Sequence, residues 1–77
     1  MYYVYILQSQ KDQTFYTGMT ENISRRLQEH NAGHTKSTKH RAPFKLVYSQ
    51  EFKTRKEARA REKFLKTGSG REFRDII

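Results

Sequence analysis

The sequence contains no cysteine, which rules out disulfides and thiolate metal sites. No apolar run approaches the roughly 20 residues needed to span a membrane as a helix. The opening Met1-Tyr2-Tyr3-Val4 carries no basic leader ahead of a long apolar stretch, so a cytoplasmic, soluble protein is expected rather than a secreted one. Internal repeats, linkers and low-complexity segments are lacking too, and residues 1–77 are expected to form one domain. Apolar residues are scarce, at 34% of 77 residues. A chain this short buries only about 60% of its unfolded surface, which leaves a small core. Five Tyr and five Phe are the large pieces from which that core can be built.

Acidic residues are outnumbered. Sixteen Lys and Arg against eight Asp and Glu leave a formal charge of +8. On so small a surface that excess points to a polyanionic partner, nucleic acid first. An anionic membrane surface would call for a helix with a broad apolar face and basic residues opposite. Neither main helical segment has that pattern.

Residues 2–8 read as a strand with bulky residues at both parities, hence covered on both faces and central in its sheet. Ser9-Gln10-Lys11-Asp12 suits a tight turn, and residues 14–18 supply the hairpin partner. A symmetric hairpin pairs Gln8 with Gln13 and sets Tyr5 opposite Tyr16, with Cβ atoms roughly 5 Å apart. Gly18 ends this partner strand, where glycine permits a positive φ or lets a backbone or a substrate phosphate come close. A first helix is predicted from about Asn22 to Ala32, capped by Asn22 or Thr20 and closed by Gly33. Ile23 and Leu27 mark its buried stripe, with Arg26 and His30 side by side at the edge and Arg25 nearer solvent.

Residues 33–44 form a basic loop without apolar periodicity, in which Lys36, Lys39 and Arg41 are candidate phosphate contacts. A third strand is predicted over 45–52, with Leu46, Val47, Tyr48 and Phe52 facing the core. Thr54-Arg55-Lys56-Glu57 is a capping box that opens a second helix running to about Thr67, where Gly68 stops it. Its stripe through Ala58 and Leu65 places Glu62 on the inward face, with Phe64 beside it. Arg55, Arg59, Lys63 and Lys66 lie outward, and Arg55 and Arg59 join the candidate phosphate contacts. Ser69-Gly70-Arg71-Glu72 reads as another capping box, before a short helix that returns Phe73, Ile76 and Ile77 to the core. The whole is an α+β domain: a three-stranded antiparallel sheet flanked by helices in the order β-β-α-β-α-α.

Tyr3-Val4-Tyr5, about ten residues, Tyr16-Thr17-Gly18 and a following helical arginine resemble the GIY-YIG nuclease domain, the small stand-alone bacterial members above all. The resemblance covers nearly the whole chain. It implies a Mg²⁺-dependent (or Mn²⁺-dependent) endonuclease acting on DNA, with branched or damaged DNA as candidate substrates and DNA repair as one setting. Tyr5 orients or deprotonates the attacking water, Tyr16 contacts phosphate or shares that work, and Arg26 stabilises the charge that develops on the scissile phosphate. Glu62 holds the metal, and His30 assists proton transfer or touches phosphate. Gly18, Arg25 and the basic loop would follow the nucleic-acid backbone.

Each role has a plainer counterpart. Glu62 could simply pair with Lys66 at i+4, Tyr5 and Tyr16 could only fill the core, and His30 could be a packed histidine. A phenol is a poor base unless neighbouring cations lower its pKa. A zinc site of His30, His34 and His40 fits no trusted ligand spacing. The chain departs from the family pattern at Tyr3, which replaces a glycine, at Met19, where excision-repair members often carry lysine, and in having no asparagine after Asn31. The alternative is a non-catalytic nucleic-acid-binding module on the same scaffold, acting with a protein partner. An RNA ligand stays open.

Overall fold

The computed structural model describes residues 1–36 and 38–76. Three strands, β1 (Tyr2–Ser9), β2 (Phe15–Thr20) and β3 (Phe44–Phe52), form one antiparallel sheet in the order β2-β1-β3. Helix α1 (Ile23–Asn31) lies between β2 and β3 in the chain; α2 (Arg55–Leu65) and α3 (Gly68–Asp75) follow β3. The bulky residues of β1 at both parities are explained by its central place. Val4 and Ile6 form one core cluster with Ala58 and Leu65 of α2, and Tyr5 and Leu7 form another with Phe44 and Leu27. Fully burying an aliphatic side chain of this size contributes about 1.5–3 kcal/mol, so α2 is held on the sheet chiefly by Leu65. None of the helices among the described residues is long and apolar enough to cross a membrane.

The hairpin is shifted from the predicted register. Tyr5 pairs with Gly18, Leu7 with Tyr16 and Gln8 with Phe15, so Tyr5 is not opposite Tyr16 and Gln8 is not opposite Gln13. Ser9 stays in the strand, and its amide donates to the Thr14 carbonyl at 2.8 Å. Its buried hydroxyl accepts from the amides of Lys11 and Asp12 and donates to the Arg41 carbonyl. Asp12 then takes up Thr14, and Gln13 closes the turn at φ 66°. The side chain of Ser9 thus moves the loop one residue along. Each partner changes by two positions, an even number, so every side chain keeps its predicted face.

Helix α1 follows the predicted signals. Asn22 Oδ1 accepts from the Arg25 amide at 3.0 Å, and Gly33, at φ 77°, closes the helix. The Gly33 amide donates to the His30 carbonyl and the His34 amide to that of Glu29, the paired bonds of a Schellman ending. Asn31 accepts from the Phe44 amide at 2.6 Å and donates to its carbonyl, fastening the end of α1 to the start of β3.

The second half of the chain departs in detail. Thr54 caps α2 as expected, accepting from the Glu57 amide, but α2 ends at Leu65 and Gly68 begins α3. The cap of α3 is Thr67, which accepts from the Gly70 amide, rather than Ser69. A side chain at Gly70 would collide with the backbone of Phe64 and Leu65, so the chain can turn back this sharply only at glycine. Phe73 reaches the core, edge-on to Tyr48 with ring centroids 5.3 Å apart. Ile76 does not. It follows the last turn of α3 and is 82% exposed. Ile77 lies outside the described residues. Leu46, Val47, Tyr48 and Phe52 are half-buried, as befits an edge strand, and Phe64 is exposed.

Candidate active site

The geometry begins with Gly18. A Cβ there would lie 2.5 Å from Tyr5 Oη and 3.2 Å from Tyr16 Cε1. Its φ is not positive, and the space it leaves open is filled by a phenol. The Tyr5 ring therefore lies across β2 instead of standing on the sheet. Tyr16, one diagonal step away, has its ring centroid 6.4 Å from that of Tyr5 and 4.9 Å from His30. The two tyrosines meet as predicted, through a diagonal pair rather than a direct one.

Above them lies α1, with His30 and Arg26 one turn apart. His30 is not at the edge of the helix's buried stripe; it is fully buried and the most enclosed residue of α1. Its Nε2 is 3.3 Å from Tyr5 Oη and its Nδ1 is 2.8 Å from Thr38 Oγ1. Thr38, also fully buried, directs its hydroxyl at the Thr35 carbonyl, 3.4 Å away. If that carbonyl takes the Thr38 proton, Thr38 Oγ1 is left to accept from Nδ1–H. Nε2 is then bare and accepts from the Tyr5 hydroxyl. Burial, and after it the nearby Arg26 cation, hold the His30 pKa below its ordinary value, which keeps the ring neutral.

Arg26 completes the group. Its Nε donates to Tyr5 Oη at 3.4 Å and its Nη1 to Glu29 Oε1 at 3.0 Å. These contacts keep the guanidinium charged and, from the other side, push the Glu29 carboxyl below its usual range. The Arg26 side chain is 33% exposed against 72% for Arg25, so Arg26 faces the site and Arg25 faces solvent. Tyr5 itself departs from the sequence expectation that a base tyrosine has its pKa lowered. Burial raises it, and the hydrogen bond from Arg26 opposes that rise without cancelling it. Tyr16 and the Glu62 carboxylate add smaller upward pushes, which place Glu62 within electrostatic reach of the phenol. At neutral pH Tyr5 is a protonated phenol.

Glu62 is half-buried on α2, and Lys66 Nζ donates to it at 3.1 Å. Both the inward carboxylate and the plain i+4 pair of the sequence reading are therefore present. The described residues contain no group of three His, Asp or Glu placed to hold a metal. A one-carboxylate site fits Mg²⁺, which keeps several waters and is completed by substrate phosphate.

The basic candidates are spread more widely. Lys36, Lys39, Arg55 and Arg59 are exposed, as are His34 and His40. Arg41 is tied down: its Nη1 donates to Thr14 Oγ1 at 3.1 Å and its guanidinium lies over Phe44. Sequence reasoning missed Thr38 and Glu29. Glu29 had a signal, its i+3 spacing from Arg26. Thr38 had none, being one of several hydroxyls in an aperiodic loop.

Comparison with known proteins bears on the family and the fold. A model described as the GIY-YIG catalytic domain matches residues 1–74. A UPF0213 protein of Clostridium perfringens is 46% identical over 67 residues, 86% of this chain and 71% of that one. A UPF0213 protein of Staphylococcus haemolyticus is 44% identical over 77 residues, 99% of this chain and 93% of the relative. The solution NMR structure of a UPF0213 protein from Bacillus halodurans superposes with a TM-score of 0.56 at 37% identity, over 94% of this chain and 80% of that one.

Proposed function

The chain belongs to the GIY-YIG family, and on that premise we propose that it is a metal-dependent endonuclease hydrolysing phosphodiester bonds in DNA. The observation that carries this reading is the line Arg26–Tyr5–His30–Thr38, in which one phenol oxygen has a cation on one side and a neutral imidazole on the other. A phenol that only filled the core would need one hydrogen-bond partner, not a cation and an imidazole together.

The line suggests how the proton moves. Tyr5 Oη accepts from Arg26 and retains a lone pair for the attacking water. As water attacks phosphorus and the ester bond to the leaving 3′-oxygen breaks, the water's proton passes to Tyr5 Oη, the phenol's own proton passes to His30 Nε2, and the departing oxygen takes a proton from solvent. Tyr5 is thus the conduit and His30 the final acceptor, which removes the need for a phenolate. The Thr38 oxygen holds the imidazole in the tautomer that can accept. Nη2 of Arg26 has no partner among the described residues and is free to bind a non-bridging phosphate oxygen, where charge develops. Glu62 is the residue that would hold a divalent ion, Mg²⁺ or Mn²⁺, which when bound supplies Lewis-acid stabilisation at the phosphate. Lys36, Lys39, Arg25, Arg55 and Arg59 follow the backbone, so binding weakens steeply with salt.

A second reading, a non-catalytic nucleic-acid-binding module working with a protein partner, is favoured by the Lys66 ammonium that already occupies Glu62. One experiment separates the two. Purified protein is incubated with labelled duplex, single-stranded, flapped and branched DNA in Mg²⁺, Mn²⁺ or EDTA, beside Glu62→Ala and Arg26→Ala. The nuclease reading expects metal-dependent cutting that falls by at least about 100-fold in either variant, with binding in EDTA retained for Glu62→Ala. Binding without cutting by the wild type would overturn it in favour of the module.

A further inference from the structure

A cleft of about 330 Å³ opens at the end of β2, lined by Tyr2, Met19, Thr20, Glu21, Arg25 and Arg55. None of Tyr5, Tyr16, Arg26, His30 and Glu62 lines it. We propose that this cleft is a binding subsite for an unpaired nucleotide flanking the cleaved bond, and that the chain therefore prefers DNA with a single-stranded segment at that position.

The floor and the walls of the cleft have different chemistry. Tyr2 and Met19 are half-buried and packed on the Val4–Ile6 core cluster, which makes them a fixed apolar platform. Arg25, from the first turn of α1, and Arg55, the first residue of α2, are exposed cations on either side. An aromatic floor between guanidinium walls suits a base stacked on the ring with its phosphates on the arginines. A paired base cannot use such a floor, because its faces are covered by its neighbours in the duplex. Glu21 is the one acceptor-only group of the lining. It repels phosphate and accepts from exocyclic amino groups, which directs the base to one side of the cleft and the backbone to the other.

Tyr2 and Met19 lie on the α2 face of the sheet and Tyr5 and Tyr16 on the α1 face, so one strand serving both sites passes round the edge made by β2. Thr20 pairs with Tyr3 and Gly18 with Tyr5, so the cleft begins two residues, about 7 Å along β2, from the phenol. That is the spacing of neighbouring nucleotides on an extended chain. Arg25 and Arg26, adjacent in α1, would then hold successive phosphates. This assignment of the flanking position rests on the nuclease reading, whereas the preference for an unpaired base rests on the cleft itself.

The test is equilibrium binding in EDTA by fluorescence anisotropy, with a labelled mixed-sequence DNA single strand and its duplex at one salt concentration. Tyr2→Phe is expected to bind the single strand like the wild type, and Tyr2→Ala about tenfold more weakly. Because Tyr2 also packs on the core, Arg55→Ala is compared with Arg59→Ala, an equal charge loss on the same helix outside the cleft. Both should weaken duplex binding alike, while Arg55→Ala weakens single-strand binding at least about threefold more than Arg59→Ala. Folded Tyr2→Ala binding like Tyr2→Phe, or Arg55→Ala and Arg59→Ala indistinguishable on the single strand, overturns the inference. Cleavage is not read in EDTA, so a chain that binds this way and never cuts retains the cleft and loses the nuclease, and a chain that cuts without these contrasts does the reverse.

Discussion

The two faces of the sheet are built on different principles. Toward α2 and α3 the core is apolar, with Val4, Ile6, Ala58 and Leu65 at its centre and aromatic rings around them. Toward α1 the enclosed residues include Ser9, His30 and Thr38, each fully buried and each hydrogen-bonded. Burying a polar group without a partner costs a few kcal/mol, so such groups persist only in complete networks. The first face is held by apolar packing, whereas the second adds to its Tyr5–Leu7–Phe44 cluster a polar network that carries the chemistry and itself contributes little net stability.

Four experiments break or sharpen that contrast. The largest effect is expected from one truncation on each face. Leu65→Ala should lower unfolding free energy by about 2–5 kcal/mol in urea denaturation. His30→Ala should reduce cleavage by about 10²- to 10⁴-fold in Mg²⁺ assays while the protein still binds DNA in EDTA. Equal stability losses with unchanged cleavage in folded His30→Ala would erase the distinction between the faces.

Next comes Thr38→Val, which keeps the shape but leaves His30 Nδ1–H without its acceptor. An orphaned buried donor costs about 1–3 kcal/mol, and cleavage should fall with it. Thr38→Ser should restore both. A valine variant as active as the wild type would show that the tautomer is set elsewhere.

The pH dependence is smaller and has a definite sign. The pKa of His30 is lower in the folded chain than in the unfolded one, so the unfolded state takes up the proton first. The stability from His30 is complete above its unfolded pKa of about 6.5 and declines as pH falls toward its folded value. Cleavage should hold through the ordinary histidine range and drop only below it. Urea midpoints from about pH 8 to pH 5 should show this slope in the wild type and a flatter one in His30→Gln. Asp12 and Glu29, whose carboxyls are held low, titrate further to the acid side.

The smallest effect is expected of Lys66→Met on the apolar side. The Lys66–Glu62 pair is a single i+4 contact with Lys66 largely exposed, worth about 0.2–0.5 kcal/mol. Stability should barely move. If Glu62 holds the metal, Mg²⁺ should then activate at lower concentration.

Legibility in the sequence followed the range of the interactions. Asn22, Gly33 and the Thr54–Glu57 pair act within a turn of their own position, and each does what its local pattern indicates. The order of the strands was legible because a strand bulky at both parities has to be central. The hairpin register was not, because Ser9 is held from Arg41, 32 residues away. The second helix break was misplaced because Gly70, rather than Gly68, is the residue that must lack a side chain. In the site, Tyr5, Tyr16, Arg26 and His30 come together as their motif implies. The depth of His30 depends on Thr38, delivered by a loop with no periodic signal.

Gly18 has a consequence for how the chain tolerates change. The phenol of Tyr5 occupies the volume where any other residue would place its first carbon. Alanine, usually the mildest substitution, is there as disruptive as a large residue, because the collision is with Cβ itself. In a saturation mutational scan, position 18 should read as all-or-none, without the graded response to size seen at core positions such as Leu65. The exposed lysines and arginines should accept nearly everything. The most sensitive position near the site would then be one that contributes no functional group at all.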